Sequence, residues 1–468
     1  MKVVLVAKTN RFMGNIFLKL LGLVKRTKII EIISFVARVC YLDRMPKWGK
    51  VVDVKNRLFK VGHHTTLQHT YFTFFVDGIA IGDITFGFHL VSTIYTTCQR
   101  SGRFCFGMFS DPEAIEKIAG YVRKFWPEVS EQDLEEILDY VQDCANIFQD
   151  NIEAATEVAE RFIREDRPNA SDKYIKQNAK KFAQEQLRMF IPVIFPTAFA
   201  FTVNLSALIA MYRTAWSEPM KHILEEMVRQ VLKIDPRLAF AFEEESKNEG
   251  LSFLRPENLG DIRIQYEPSL RLVAVDGIEE LVIPSSGQQH PVDKLHFDPK
   301  FMVNNIYHIK TKVEMSTATL GQDQRHRTIL RDQPEFTGAI YCPPIIRALG
   351  LESDLERIAR KWISISKRVP QNLARITAPY GAILTFTKSG SVNAVFHEQG
   401  KRTCLCTQEE IWQLASALRD SLGPSFKDRP ELSNLFAPTC YATGKCGEGG
   451  RYCGRDMDKD IFSSPRRV

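Results

Sequence analysis

The sequence predicts a mixed helix-and-strand protein whose strand-forming and helix-forming stretches come in blocks, and three observations carry that reading. Residues 62–105 are rich in aromatic and β-branched residues. Residues 111–187 repeat apolar positions at helical spacing, and residues 246–300 alternate apolar and polar residues between turn signals. At 468 residues the chain can bury a large core in two or three domains.

Composition bounds the function. The chain is 44% hydrophobic and 25% charged and has no low-complexity tract, so it is globular. A net charge of +6 suits anionic ligands such as nucleotides and is too weak for wrapping nucleic acid. Ten cysteines without a recognisable signal peptide predict a cytoplasmic protein with reduced thiols. The uncharged run 189–212 is long enough to span a bilayer. Pro192, Pro196, Asn204 and Ser206 fit such a helix poorly, so a buried core segment and no membrane contact are expected.

Residues 1–60 form a mixed opening region, and residues 62–105 hold one or two buried strands with a helix. Asp111-Pro112 opens the helical stretch, which Trp126-Pro127 and Arg167-Pro168 punctuate. Glu218–Lys233 is another amphipathic helix. Residues 246–300 are predicted to be a small β insertion. Ile309–Leu320 alternates like a half-exposed strand, and Thr407 with Glu410 forms a capping box opening a helix through Leu422. The expected domains are therefore 1–245, a connector 246–300, 301–430, and a Cys- and Gly-rich tail 431–468. Cys440, Cys446 and Cys453 in that tail are spaced by six and seven, not as CxxC. They predict loose thiols and no metal; zinc would require Cys404 or Cys406 to join them.

Three polar clusters could carry chemistry. Gly62–His69 holds three histidines in seven residues, which suit a metal or a loop placing an aromatic cofactor, although His63 and His69 lack the helical zinc-pair spacing. Ser101-Gly102-Arg103 is a candidate phosphate cradle: glycine permits close backbone approach, serine donates, and arginine presents a planar fork. Gln322 and Arg325-His326-Arg327 form a dense cationic group beside a small uncharged stretch. An internal repeat also emerges, since Arg188-Met-Phe-Ile-Pro192 and Arg375-Ile-Thr-Ala-Pro379 each open an apolar segment followed by a helix.

Taken in order, these motifs resemble the flavin-dependent thymidylate synthases. GHHTTLQH and FTFFV resemble that family's early loop and strand, Ser101–Phe104 its SxRY, Arg325–Arg327 its RHR, and Gln322 its upstream Gln. The family places an Asn sixteen residues after the Arg of Arg-x-x-x-Pro and a catalytic Arg eleven further on. From Arg188 these steps reach Asn204 and Ala215; from Arg375 they reach Ser391 and Arg402, followed by Thr407–Ile411 where the family has AQxEI. The amino half thus keeps SxRF, Arg188 and Asn204, with Phe88-His89-Leu90 as the remnant of RHR. The carboxy half keeps RHR and Arg402 but has Glu335 and Phe336 in place of the Ser. The losses are complementary. The sequence departs from the family at Gln68, Gln99 and Phe104.

The resemblance implies an α+β protein built of two copies of the family fold, each an antiparallel sheet flanked by helices, forming a pseudo-dimer. It implies FAD as cofactor, with dUMP, methylenetetrahydrofolate and NADPH or another reductant as partners, in a homo-oligomer whose dimer mimics the family's tetramer. It implies that Arg402 is catalytic. Ser101, Gly102, Arg103, Arg188, Gln322 and Arg325 would bind the nucleotide, and His63, Thr65, Asn204, Arg325, His326 and Arg327 the flavin. The reaction would be methylation of dUMP at C5. The alternatives are a related flavin-dependent one-carbon transferase acting on another pyrimidine nucleotide and a non-catalytic nucleotide-binding relative.

Overall fold

The computed structural model describes residues 1–9, 28–39, 42, 45–90, 95–243, 253–283, 298–447, 449, 452–463 and 466–468. The chain packs into two units, Met1–Arg100 with Pro196–Leu251, and Ser101–Phe195 with Ser252–Val468. The helices of residues 114–187 therefore count with the second unit, although in sequence they fall in the expected segment 1–245.

The first unit is an antiparallel sheet of β1 (Lys2–Lys8), β2 (Tyr71–Ala80), β3 (Tyr95–Gln99) and β4 (Pro196–Asn204), in the order β1-β2-β4-β3. β2 alternates as a half-buried strand must: Phe72, Phe74 and Val76 are fully buried, while Tyr71 and Phe75 face solvent. Phe88, Phe199 and Phe201 pack edge-on and tilted against one another behind the sheet. The helices Ile29–Val39, Leu205–Arg213 and Glu218–Ile234 contribute to this core. The uncharged run 189–212 is thus a short 3-10 turn, β4 and a helix, and among the described residues no helix is long and apolar enough to cross a membrane.

The second unit holds β5 (Arg263–Gln265), β6 (Ser269–Val275), β7 (His308–Ser316), β8 (Leu330–Arg331), β9 (Glu335–Tyr341) and β10 (Ala382–Ser391). Their order is β5-β9-β10-β7-β6, with β8 pairing β10. The helices Ala114–Phe125, Glu131–Asp166 and Asp172–Leu187 break where the Trp-Pro and Arg-Pro pairs predicted. Ser130 and Ser171 cap the second and third, each accepting from the backbone N–H three residues on.

Two expectations are corrected. Residues 263–275 are not a separate insertion: β5 pairs in parallel with β9 and β6 antiparallel with β7, so they are the two edges of this unit's sheet. Residues 246–252 and 284–297 of the expected connector lie outside the described residues. In the tail Cys440, Cys446 and Cys453 are free thiols, Cys453, Gly454, Arg455 and Arg466 are buried, and Arg467 pairs with Glu165 and Asp166. Thr407 and Glu410 do not form a capping box. The helix Glu409–Leu422 starts after Gln408 without a side-chain cap. Glu410 is buried and instead accepts from Ser316 N at 2.6 Å and from the hydroxyls of Ser316 and Thr319.

The two units share a local pattern. β2 and β4 pair from Tyr71↔Asn204 to Ala80↔Pro196, and β7 and β10 from His308↔Ser391 to Ser316↔Ile383. Asn204 and Ser391 then each cap the next helix, accepting from Ala207 N at 2.8 Å and Ala394 N at 3.3 Å. Within the second unit the two Arg-x-x-x-Pro segments pair with each other. Pro192 lies opposite Pro379, with Val193 N donating to Ala378 O and Tyr380 N to Ile191 O, both at 2.9 Å. Each bond is the two-fold counterpart of the other.

Gly381 sits where this pairing is tightest. A Cβ there would lie 3.0 Å from Ile340 Cγ1 and 3.1 Å from Met189 O. The substitution Gly381→Ala should destabilise the protein by about 1–3 kcal/mol, measured by urea unfolding; an unchanged unfolding midpoint would show that the paired segments yield freely.

Candidate functional site

The helix Asp172–Leu187 carries three buried polar residues in its last turn, Gln184, Glu185 and Gln186, and its C-cap Arg188 is a fourth. Buried polar groups need partners, and theirs build a site. Gln184 Nε2 donates to Gly102 O at 2.8 Å, and Glu185 Oε1 lies 2.7 Å from Arg103 Nε. Arg188 Nε donates to Glu185 O at 3.2 Å and Arg188 Nη2 to Gln408 Oε1 at 2.8 Å. The Arg188 guanidinium also lies 5.1 Å over the Tyr380 ring.

The Ser101 turn is held from within. Arg103 N donates to Ser101 Oγ at 3.2 Å, and Cys105 N to Ser101 O at 3.0 Å. Arg103 Nη2 reaches Cys406 O at 3.1 Å. Gly102 is buried, and a Cβ there would fill the space between Phe109, Tyr380 Oη and Arg188 Nη1, at 3.3, 3.3 and 3.5 Å.

The cationic triplet follows the helix Thr317–Asp323, which Ser316 caps. Gln322 Nε2 donates to the same Gln408 Oε1 that Arg188 uses. Arg402, at the end of the helix Val392–Arg402, donates from Nη2 to Gln322 O at 2.7 Å and from Nε to His326 Nε2 at 2.9 Å. His326 therefore accepts at Nε2 and is neutral, consistent with burial and the Arg402 charge holding its pKa well below the usual histidine range. Behind this pair lies a row of buried charges: Lys388 Nζ is 2.5 Å from Asp323 and 2.6 Å from Glu398, and Arg331 also pairs with Asp323.

The electrostatics place these groups together. Burial lowers the pKa of Arg402, Glu398 and Asp323 oppose that, and the charges of Arg103 and Arg325 lower it further. Burial lowers that of Arg188 too. Burial raises Asp323, but Arg331 and Lys388 outweigh it and hold the carboxyl well below its ordinary range. Glu409 behaves oppositely: burial first, then the charge of Glu185, pushes its carboxyl up to about 8. Its Oε1 is buried without a hydrogen-bond partner, as are Nε and Nη1 of Arg466, whose third nitrogen donates to Thr407 O.

Ser101, Gly102, Arg103, Arg188, Gln322, Arg325, His326 and Arg402 thus gather in the second unit, and the half-buried Arg327 continues the same turn. His63, Thr65 and Asn204 belong to the first unit. There His63 is the N-cap and Thr65 an exposed residue of the 3-10 helix His64–His69, while Asn204 is buried and its Oδ1 is engaged in helix capping. Leu205 N donates to Thr70 O at 2.9 Å, so this short helix and the Asn204 cap are neighbours. Sequence reasoning missed Gln408, Glu185, Tyr380 and Arg466. The run of polar residues 184–186, at the end of an amphipathic helix and before an apolar segment, was one available signal, and the place of Gln408 in the stretch Thr407–Ile411 was another. Among the described residues no group of three or more His, Cys, Asp or Glu side chains is arranged to hold a metal ion.

Residues 22–237 match the family described as thymidylate synthase complementing protein. No curated protein matches the chain. Among solved structures the chain is similar to thymidylate synthase X (ThyX) from Helicobacter pylori with FAD and dUMP, at 14% identity and a TM-score of 0.31, covering 52% of this chain and 100% of that one. A second structure, of the flavin-dependent thymidylate synthase ThyX from Helicobacter pylori complexed with FAD and dUMP, is 16% identical, with a TM-score of 0.31 and coverages of 53% and 100%.

A carboxyl whose pKa rises on folding supports the folded state below its unfolded value and weakens it as pH climbs to the folded value. For Glu409 that window runs from the ordinary 4.5 to about 8. The substitution Glu409→Gln should therefore flatten the decline of unfolding free energy across that window, measured by urea unfolding at stepped pH. A constant offset at every pH would mean that this carboxyl does not titrate there.

Proposed function

We propose, from the match of residues 22–237 to the thymidylate synthase complementing protein family and from the site described above, that the second unit binds FAD and a pyrimidine nucleotide and methylates dUMP at C5 with methylenetetrahydrofolate as carbon donor. One observation carries the reading: Gln408 Oε1 accepts from both Arg188 and Gln322, tying the phosphate-type group to the base-side group.

The residues present fit an anionic ligand. Arg103, Arg188 and Arg466 surround Glu185 and Glu409, and Glu409 is largely protonated at neutral pH, so the cluster carries surplus positive charge. The Gly102 backbone offers an approach that any side chain would close. Ser101, Gly102, Arg103 and Arg188 hold the phosphate and sugar, and Gln322 and Arg325 reach the base. Arg402, fixed by His326 and Gln322 O, is a preorganised cation that stabilises the uracil ring with N3 deprotonated.

The donor set at 325–327, two guanidiniums flanking an imidazole, suits the flavin's pyrophosphate. His63, Thr65 and Asn204, the other flavin contacts that the resemblance implies, lie in the first unit. FAD, when bound and reduced by NADPH or another reductant, supplies the hydride. The corresponding registers of the two antiparallel strand pairs, the matched caps at Asn204 and Ser391, and the two-fold pairing of Pro192 with Pro379 support tandem duplication as the origin of the chain.

Purified protein should show flavin absorbance. The substitution Arg188→Ala should weaken dUMP binding about ten- to a hundredfold by calorimetry, the loss of a charged hydrogen bond. Arg402→Ala should keep the flavin spectrum but form no dTMP. Product from UMP but not dUMP would favour the transferase on another nucleotide. Protein that stays colourless with excess FAD and binds neither nucleotide would refute the proposal.

A further inference from the structure

The nucleotide reading leaves a group of thiols unused. Cys404 and Cys406 are half-buried on the turn joining the helices Val392–Arg402 and Glu409–Leu422, which Thr407 N closes by donating to Cys404 O at 3.0 Å. The two thiols stand two residues apart on this one turn. The Tyr174 hydroxyl lies 3.8 Å from Cys406 Sγ. Arg167, itself buried, donates to that Tyr174 oxygen at 2.9 Å and to Leu405 O at 3.1 Å, so a fixed cation is held against the hydroxyl that contacts the sulfur. The hydrogen bond from Cys404 holds the Cys406 thiol down to about 6; burial opposes this, and Arg167 and Tyr174 add to it. Cys404 is pushed well up, chiefly by the same contact, and the buried Cys453 of the tail interacts electrostatically with both thiols. A partly exposed thiolate in an electropositive setting beside a second thiol is the environment of a reactive cysteine.

We propose that Cys406 is a modification site for hydroperoxides and that Cys404 is its resolving thiol. The Cys406 thiolate attacks one peroxide oxygen and the O–O bond breaks. Sulfur is oxidised by two electrons to the sulfenic acid, and the leaving oxygen takes a proton to give water or an alcohol. The Cys404 thiol then attacks that sulfur; an S–S bond forms, the S–O bond breaks, and the hydroxyl leaves as water with the Cys404 proton.

The turn that carries this chemistry also anchors the arginines. Leu405 O, Cys406 O and Thr407 O accept from Arg167, Arg103 and Arg466. A disulfide between positions two apart needs its own Cβ geometry, so the turn must rearrange and release Arg103. This consequence for anion binding rests on the function proposed above; the oxidation does not.

The test uses the full chain, reduced, desalted and treated with hydrogen peroxide, with and without dimedone, followed by peptide mass spectrometry. The expected result is a dimedone adduct on Cys406 and, without dimedone, a 404–406 peptide lighter by two hydrogens. Cys404→Ser should raise the adduct yield several-fold, and Cys406→Ser, checked for folding by circular dichroism, should remove it. Modification of the exposed Cys98 with Cys406 untouched would overturn the proposal, as would zinc held stoichiometrically by these thiols and released by a chelator. Oxidised protein should bind dUMP several-fold more weakly and recover with dithiothreitol; disulfide formation with unchanged affinity would overturn the link to the site. If reduced protein also binds no dUMP, the nucleotide reading fails while the thiol assignment stands on the mass data.

Discussion

A buried guanidinium has to be held by acceptors without losing the charge that makes it useful, and that constraint shapes this site. Arg188 is 4% exposed. Its main side-chain partner is not a carboxylate but the amide oxygen of Gln408, shared with Gln322. A carboxylate at that position would satisfy the same hydrogen bonds and cancel the charge; an amide satisfies them and leaves it in place. The neighbouring Glu409 reaches the same end by another route, since burial and Glu185 keep its carboxyl protonated up to about pH 8. The cluster therefore stays cationic at neutral pH although two acids lie inside it.

Arg402 is governed by a second row of charges. Asp323, Lys388, Glu398 and Arg331 alternate in sign behind it. Such rows are weak evidence for stability, because desolvation offsets most of the attraction. Their geometric effect is more certain. Asp323 ends the helix that leads into His326, and Glu398 lies one turn before Arg402 on its helix. The row thus ties together the two elements that present the His326–Arg402 pair, and a neutral His326 can accept from Arg402 only while that spacing is kept.

Much of this was legible in sequence, because it is local. Helical periodicity and the Trp-Pro and Arg-Pro pairs located the three helices of residues 114–187, and the alternation of residues 309–320 located β7. The spacing after each Arg-x-x-x-Pro located two real helix caps. What stayed hidden depends on distant partners. Gln408 and Glu410 sit where a local cap would be, but their partners come from Arg188, Gln322 and Ser316. The strands of residues 263–275 look like an insertion because a strand's sheet partners do not show in its own alternation. Glycine and cysteine in the tail likewise signal nothing about the Arg167 and Glu165–Asp166 contacts that hold it.

The two Arg-x-x-x-Pro segments show why spacing alone cannot assign function. They are two-fold counterparts in backbone pairing, and both arginines are buried. Their surroundings differ. Arg188 faces the Gly102 turn and Gln408. Arg375 donates to Leu254 O at 2.5 Å, to Asn372 Oδ1 at 2.5 Å and to Gln371 Oε1 at 3.2 Å, so its fork is taken up by its own surroundings. Ser391 tells the same story on a smaller scale: it caps a helix as well as Asn204 does, while lacking the amide nitrogen that Asn204 could offer a ligand. What the two segments share is what the backbone needs. What only the first has is side-chain donors placed beside a glycine turn, and those are groups of the kind that suit an anion.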